Sequence, residues 1–464
     1  MTTINIGAKN ENQINFFFRK DKADLPAQIK KNIKKPLKFE NSYILDEFVH
    51  MYIYLGKRIN VQSNDFRQAG EKAYSYMKSL RINEATINVD FENEMEFKAF
   101  AEGLAIGSYE FNKYKFKSDP KDFIFYINTN NSYQPTLNEV LIINNNVSYI
   151  RDLINQSAHE VNTVYLATLT ESMASKHGLK SRIIDEKELK ELGMGLISAV
   201  GSGGSTPPRI AIIEYNGNPD SQNKTAIIGK GIVFDSGGLN LKPTGGIEEM
   251  KCDMAGAATV LGTIITLKEL NIPVNVIGVL ALAENSVDAN SYKPGDVFQA
   301  YNGLFVEITN TDAEGRLVMA DALSFANKNY QPTEMIDIAT LTGACMVALG
   351  EHTAGVMGNK QSLVDNLLNA SKNTDETMWQ LPIYDEYLGV MKSDIADLKN
   401  TSTDRYAGAE TAAAFLKEFV GQTNWAHIDF AGPAFISHKY EYYAIGATGF
   451  GIRTFVEYFK NQRS

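Results

Sequence analysis

Residues 225–235 (Thr225-Ala226-Ile227-Ile228-Gly229-Lys230-Gly231-Ile232-Val233-Phe234-Asp235) are apolar on both faces of an extended segment, yet carry a lysine and an aspartate. A strand of that kind has no face to give to water and needs cover on both sides. Comparable apolar runs recur at 210–215, 274–282, 304–309, 335–341 and 425–430. Helical patterns lie at 255–270, 316–328, 362–371, 410–420 and 449–460. Strand and helix signals alternating in this way predict an α/β domain with a mostly parallel or mixed sheet covered by helices.

A chain of 464 residues is long enough for two domains. Residues 1–145 read as a small N-terminal α/β domain. Its strands are expected at 51–55, 85–91 and 122–127, and its helices at 63–80 and 92–108. The apolar segment 137–143 closes it, Asn144-Asn145-Asn146 reads as a loop, and one long helix is expected over 148–177. Residues 146–464 form the second domain, where the candidate chemistry lies.

The formal net charge of -10 argues against affinity for nucleic acid or for an anionic membrane. Two cysteines, Cys252 and Cys345, make no disulfide framework and suit a reducing compartment. The first residues show no basic stretch followed by an apolar one, so a cytoplasmic protein is expected. No run of about 18 apolar residues is seen, so no membrane span is expected.

The charged residues that interrupt the apolar runs define the chemistry. Asp312 and Glu314 sit two apart in Asn310-Thr311-Asp312-Ala313-Glu314-Gly315-Arg316-Leu317, so in an extended segment both carboxylates face one side, with Arg316 continuing that side. Lys230, Asp235, Lys242 and Asp253 supply the remaining charges. Ionised groups rarely occupy such surroundings without a partner. Four carboxylates brought together repel one another, and two divalent cations would relieve that repulsion. Such oxygen-rich sites bridge two ions about 3.5–4 Å apart. Lys230 can ligate only as a neutral amine, a state favoured by burial and by nearby cations. The alternative is a buried ion pair with Asp235 or Asp253. Lys242, beyond the Ser236-Gly237-Gly238 turn, is either a solvated loop lysine or an electrophile for a developing oxyanion. Arg316 cannot act as a base, and its planar fork fits either a bidentate oxyanion or one of the carboxylates.

At these residues the chain resembles the leucyl aminopeptidase family of di-metal exopeptidases. The octapeptide at 310–317 is present intact, and so is the segment running from Gly229-Lys230-Gly231 through Phe234-Asp235-Ser236-Gly237-Gly238 to Lys242. The resemblance runs from about residue 150 to the C-terminus, and the first 145 residues show no convincing match. It departs from the family in lacking a proline after Asn155 and in the Ser205-Thr206-Pro207-Pro208 loop.

The resemblance implies that Lys230, Asp235, Asp253, Asp312 and Glu314 hold two divalent ions per subunit, Mn or Zn, with Mg or Co also open. It makes Lys242 and Arg316 catalytic, with a bicarbonate at Arg316 relaying protons. It places Met250, Thr340, Leu341 and Gly343 along the substrate, with the Leu341 carbonyl accepting a hydrogen bond from it. Core filler is the plainer reading of Met250. The implied reaction is removal of N-terminal residues, leucine and other apolar ones preferred, from peptides with a free α-amine. The implied assembly is a homohexamer.

Two rivals remain on the sequence: a two-metal phosphohydrolase, which would need no lysine ligand, and a non-enzymatic DNA-binding or scaffold protein. His427 reads as a satisfied core histidine, and Gly201-Ser202-Gly203-Gly204 as a mobile loop rather than a phosphate cradle.

Overall fold

The computed structural model describes residues 2–9, 12–18, 40–45, 49–54, 61–116 and 122–462. The chain divides into two compact units. One comprises Met1–Asn145 with His438–Ala444, the other Asn146–Ser437 with Ile445–Ser464.

Among the described residues the first unit has six strands: β1 (Thr2–Ile6), β2 (Gln13–Phe17), β3 (Glu40–Leu45), β4 (Val49–Tyr54), β5 (Glu84–Val89) and β6 (Phe123–Asn128). Their order is β1-β6-β5-β2-β4-β3, and only the β3/β4 pair is antiparallel. Of the strand expected at 51–55, residues 51–54 belong to β4, and Leu55 lies outside the described residues. The helices Ser63–Leu80 and Glu94–Gly107 form where they are expected. They meet at glycine. A Cβ on Gly103 would lie 1.9 Å from the Arg67 carbonyl oxygen, so no larger residue fits that crossing. A buried ion pair, Arg67 to Glu102 at 2.7 Å, joins the same two helices.

The second unit holds the sheet that positions the candidate site. It contains β7 (Lys180–Ile184), β8 (Arg209–Asn216), β9 (Thr225–Asp235), β10 (Asn275–Asn285), β13 (Glu334–Ala339), β14 (Ala354–Gly358), β15 (Met378–Gln380) and β17 (Asn424–Asp429). The order is β15-β14-β17-β13-β9-β10-β8-β7. The central four, β17-β13-β9-β10, are parallel, while β8 and β14 run antiparallel to their inner neighbours. This is the mixed, helix-covered sheet that the both-faced apolar runs demand. A small separate sheet joins β11 (Val297–Gln299), β12 (Phe305–Glu307) and β16 (Leu398–Lys399). The run at 304–309 therefore contributes only three strand residues, and to this small sheet rather than the main one.

The helix Ala255–Glu269 is buried all round from Ala255 to Leu267. It approaches β9 through glycine, since a Cβ on Gly229 would lie 2.5 Å from the Gly256 carbonyl oxygen. Among the described residues, Met250–Glu269 is the stretch long and apolar enough to cross a membrane by composition, and 89% of that window is buried within the fold. A helix apolar on every side is the mark of a core helix as much as of a span.

Two expectations about the connection between the units are corrected. Asn144, Asn145 and Asn146 lie inside one helix, Gln134–Asn155. Val140, Ile143, Val147, Ile150 and Ile154 recur at helical spacing and are all buried, which outweighs the turn preference of three asparagines. The helix expected over 148–177 is two helices. The first stops at Asn155, and Asn162 caps the second, Thr163–His177, by accepting from the Tyr165 amide.

Candidate active site

The charged residues singled out in the sequence come from β9, from the segments that follow it, and from the loop after β12 in the small sheet. Lys230 lies within β9 and Asp235 ends it. Lys242 follows the turn in which Gly237 and Gly238 adopt φ +83° and +63°. A side chain on Gly237 would also sit 2.8 Å from Asp312 Oδ1, so the turn needs glycine on both counts. Asp253 sits in the short 3-10 turn Met250–Met254. Asp312 and Glu314 occupy the turn between β12 and the helix Gly315–Tyr330, which takes up Arg316. The extended segment expected at 312–316 is therefore not formed, and a turn running into a helix start places these charges instead.

The structure gathers these groups into one cluster. Oxygens of Asp235, Asp312 and Glu314 lie within 4.8 Å of one another. Lys230 Nζ is 2.7 Å from Asp253 Oδ2 and 2.9 Å from Glu314 Oε1, and it donates to the Thr340 carbonyl at 3.0 Å. Lys242 Nζ is 2.9 Å from Asp235 Oδ2 and 2.7 Å from Asp312 Oδ1. Each lysine thus bridges two acids. Lys230 makes the ion-pair arrangement that the sequence left open, with Asp253 and Glu314 rather than Asp235.

Burial works against the Lys230 charge, but Asp253, Glu314 and Asp235 outweigh it and hold the ammonium above its ordinary value. The lowering expected from burial is therefore reversed by the carboxylates. Lys242 is held up in the same way, chiefly by Asp235 and Glu314. Burial lifts the Asp312 carboxyl to about 6, with Lys242 pulling it down. Glu314 Oε2, buried, has no hydrogen-bond partner among the described residues. An unpaired carboxylate oxygen in a protein interior is costly, and a cation beside it would remove that cost.

Arg316 is buried at the start of its helix. Its Nη1 donates to the Asn400 carbonyl at 2.8 Å, and its Nε has no hydrogen-bond partner among the described residues. Burial draws the guanidinium down to about 10, opposed by Glu314 and Asp429.

Of the expected substrate-lining residues, Thr340 is tied to the cluster, its hydroxyl donating to Asp253 Oδ1 at 2.6 Å. Leu341 and Met250 are half-buried, and Gly343 is exposed, with open space where a side chain would stand.

Two amides escape the sequence reading. Asn285, at the end of β10, donates to Asp235 Oδ1 and to the Thr311 carbonyl. Asn400 accepts from the Thr309 and Asn310 amides and donates to the Asn310 carbonyl, gripping the acid-bearing loop from about 90 residues away. Asn310 supports the same loop, accepting from the Asp312 amide.

His427 is buried and pairs through Nδ1 with Asp337 at 2.6 Å. Its Nε2 lacks a hydrogen-bond partner among the described residues, so it is a half-satisfied core histidine. Burial raises the Cys252 thiol to about 12, which leaves it a neutral core group.

An acid- and lysine-bearing centre beside a covered α/β sheet has the donors of a metal site, and the family of the chain gives that site its class. Residues 148–456 match the catalytic domain of the cytosol aminopeptidase family, and residues 52–118 match its N-terminal domain. A probable cytosol aminopeptidase of Geobacter sp. (strain M21) is 41% identical over 89% of this chain and 85% of its own. One from Protochlamydia amoebophila is 43% identical over 83% and 78% respectively. A solved structure, titled as the bottromycin maturation enzyme BotP in complex with Mn, superposes with TM-score 0.89 at 29% identity. It covers 98% of this chain and all of its own. The chain belongs to the cytosol aminopeptidase family, and is an aminopeptidase by class. The resemblance seen at the octapeptide is thus borne out, and it reaches further than expected, into the N-terminal unit. No local motif signals the match at 52–118, which explains why inspection alone misses it.

Proposed function

We propose that this protein is a metal-dependent aminopeptidase that removes N-terminal residues, leucine and other apolar residues first, from peptides with a free α-amine. The observation that carries the reading is the cluster of buried Asp235, Asp253 and Glu314 with the partly exposed Asp312, in which one Glu314 oxygen has no hydrogen-bond partner among the described residues. Lys230, Asp235, Asp253, Asp312 and Glu314 would hold two divalent ions, Mn or Zn, with Mg and Co as further candidates. When bound, such ions acidify water and withdraw electron density from a carbonyl. The oxygen donors suit these ions, and the Mn complex of the BotP structure supports the same choice. Lys230 would hold a cation only as the neutral amine, its proton released to solvent, since proton and metal compete for one lone pair.

The chain's own residues account for the remaining steps. Lys242 stays protonated between two acids, so its N–H groups can stabilise negative charge growing on the scissile carbonyl oxygen. Arg316 has one nitrogen committed to the Asn400 carbonyl, and its Nε, without a hydrogen-bond partner among the described residues, is a donor that a small planar oxyanion such as bicarbonate would satisfy. That anion would carry the proton to the leaving amine. Met250, Thr340, Leu341 and Gly343 would line the substrate. The names of the relatives support a cytoplasmic setting. A homohexamer is the assembly proposed on the family resemblance.

The test is release of leucine from Leu-amide by purified protein with added Mn or Zn, beside Asp312→Ala and an N-acetylated substrate. Metal-dependent cleavage that disappears in the variant and with the blocked amine is expected. Absence of cleavage with every metal, in folded protein, rejects the reading.

A further inference from the structure

We propose that Asp429 is the positioning residue for substrate recognition, aiming two successive backbone carbonyls of the turn 340–343 into the active site. The inference rests on the aminopeptidase reading above for what the second carbonyl contacts.

Asp429 ends β17, in register with Ala339 at the end of the parallel neighbour β13. It is fully buried. Where the chain leaves β13, Asp429 grips it. Oδ1 accepts from the Leu341 amide at 3.2 Å and the Thr342 amide at 3.4 Å. Oδ2 accepts from the Thr342 hydroxyl at 2.6 Å. That hydroxyl in turn accepts from the Cys345 amide and caps the helix Gly343–Leu349. Oδ1 also accepts from the Ala431 amide at 3.3 Å, which ties the carboxylate to its own strand end.

A trans peptide is planar, so an N–H and the carbonyl of the preceding residue point in opposite directions. Fixing the Leu341 N–H on Asp429 turns the Thr340 carbonyl away from it. That carbonyl accepts from Lys230 Nζ at 3.0 Å. Fixing the Thr342 N–H turns the Leu341 carbonyl away by the same rule. Two residues further on the surface is open, since Gly343 is exposed and nothing stands within 4 Å of a side chain added to it. One carboxylate therefore orients a carbonyl that holds the central lysine and a second carbonyl that, in this proposal, accepts a peptide N–H from substrate. The Asp429 carboxylate is engaged by backbone amides and the Thr342 hydroxyl, so it acts through the turn and not on substrate directly.

The experiment compares full-length wild type, Asp429→Ala and Asp429→Asn with Mn, measuring kcat and KM on Leu-amide, Mn affinity and amide hydrogen exchange. In Asp429→Ala we expect KM to rise about tenfold or more, with kcat reduced less than KM is raised. Exchange should quicken locally over 340–345. Asp429→Asn keeps an acceptor for both amides and should hold KM within about threefold of wild type. Thr342→Val should follow Asp429→Ala, and Thr342→Ser should restore the wild-type KM. These two decide the matter if Asp429→Ala does not fold. An unchanged KM in Asp429→Ala, or a loss of kcat and thermal stability at constant KM, would show a merely structural role and overturn the proposal. Wild type that fails to cleave Leu-amide with any metal sinks the aminopeptidase reading instead. Exchange over 340–345 then decides the positioning role by itself, and unchanged exchange in Asp429→Ala rejects it.

Discussion

Asn285 clamps Asp235 to the octapeptide loop. Its Nδ2 donates to Asp235 Oδ1 at 2.8 Å and to the Thr311 carbonyl at 3.0 Å. Its own carbonyl accepts from both the amide and the hydroxyl of Ser236. Two acid-bearing segments from different parts of the chain are thus locked together through the end of β10. The carboxylates repel one another, so the cluster depends on such neutral ties as well as on its lysines.

Replacing Asn285 by alanine should loosen both segments at once. Mn affinity is expected to fall about 10- to 100-fold, the usual cost of losing an outer hydrogen bond to a metal ligand. Stability should fall by about 1–3 kcal/mol from the partners left unmade. Titration calorimetry and urea unfolding read the two effects separately. Wild-type Mn affinity in Asn285→Ala would show that Asp235 does not need this tie.

Gly315 opens a second route into the cluster. A Cβ there would lie 2.6 Å from Lys230 Cε and 2.7 Å from Nζ. A lysine end normally moves aside, but this one is held by Asp253, Glu314 and the Thr340 carbonyl. Gly315→Ala is therefore expected to cost peptidase activity at least about 100-fold, since misplacement of roughly 1 Å is enough for that. The helix that begins there should persist, alanine being the better helix former. Unaltered far-ultraviolet circular dichroism with lost turnover is the expected pair of results, and full activity would contradict the packing described.

A cation at the cluster should be visible as stability even without substrate. Mn at about 100 times its Kd is expected to stabilise the fold by about 2.7 kcal/mol, read as a rise in Tm. Glu314→Gln retains the shape and removes a charge from the buried oxygen pair, and should abolish most of that rise. The protein would fail this expectation if Tm were indifferent to Mn from the outset.

How far the sequence reveals this site follows from its chemistry. Lys230 and Asp235 stand out because charge inside an apolar run is rare, and Asp312, Glu314 and Arg316 because three charges crowd into five residues behind another apolar run, although the segment is a turn entering a helix and not the extended one expected. Their partners in the fold, Asn285 and Asn400, are ordinary amides remote in the chain, and nothing local separates them from surface asparagines. The central strands are legible from their both-faced apolar pattern. The edge strand β7 is missed because Lys180, Ser181 and Arg182 face water, and β15 because it is three residues long. The asparagines at 144–146 mislead in the other direction, since propensity yields to the buried stripe from Val140 to Ile154.

Asp321 carries the clearest pH signature away from the cluster. It is fully buried on the helix Gly315–Tyr330 and accepts from the Leu196, Ile197 and Tyr301 amides. Burial lifts its carboxyl from 3.8 to about 7, against the pull of those three N–H groups. The folded protein thus keeps a proton that the unfolded chain releases near 3.8. The stability this proton contributes is complete below that value, declines as pH rises through the window, and is gone above about 7. Asp321→Asn cannot titrate, and its amide meets at least one backbone N–H head-on, so it should be less stable throughout. The wild-type advantage in urea midpoint should shrink steadily from about pH 4 to about pH 7, all other acids being common to both proteins. A gap that stayed constant or widened over that range would mean Asp321 is ionised in the fold, its three N–H donors having overcome burial.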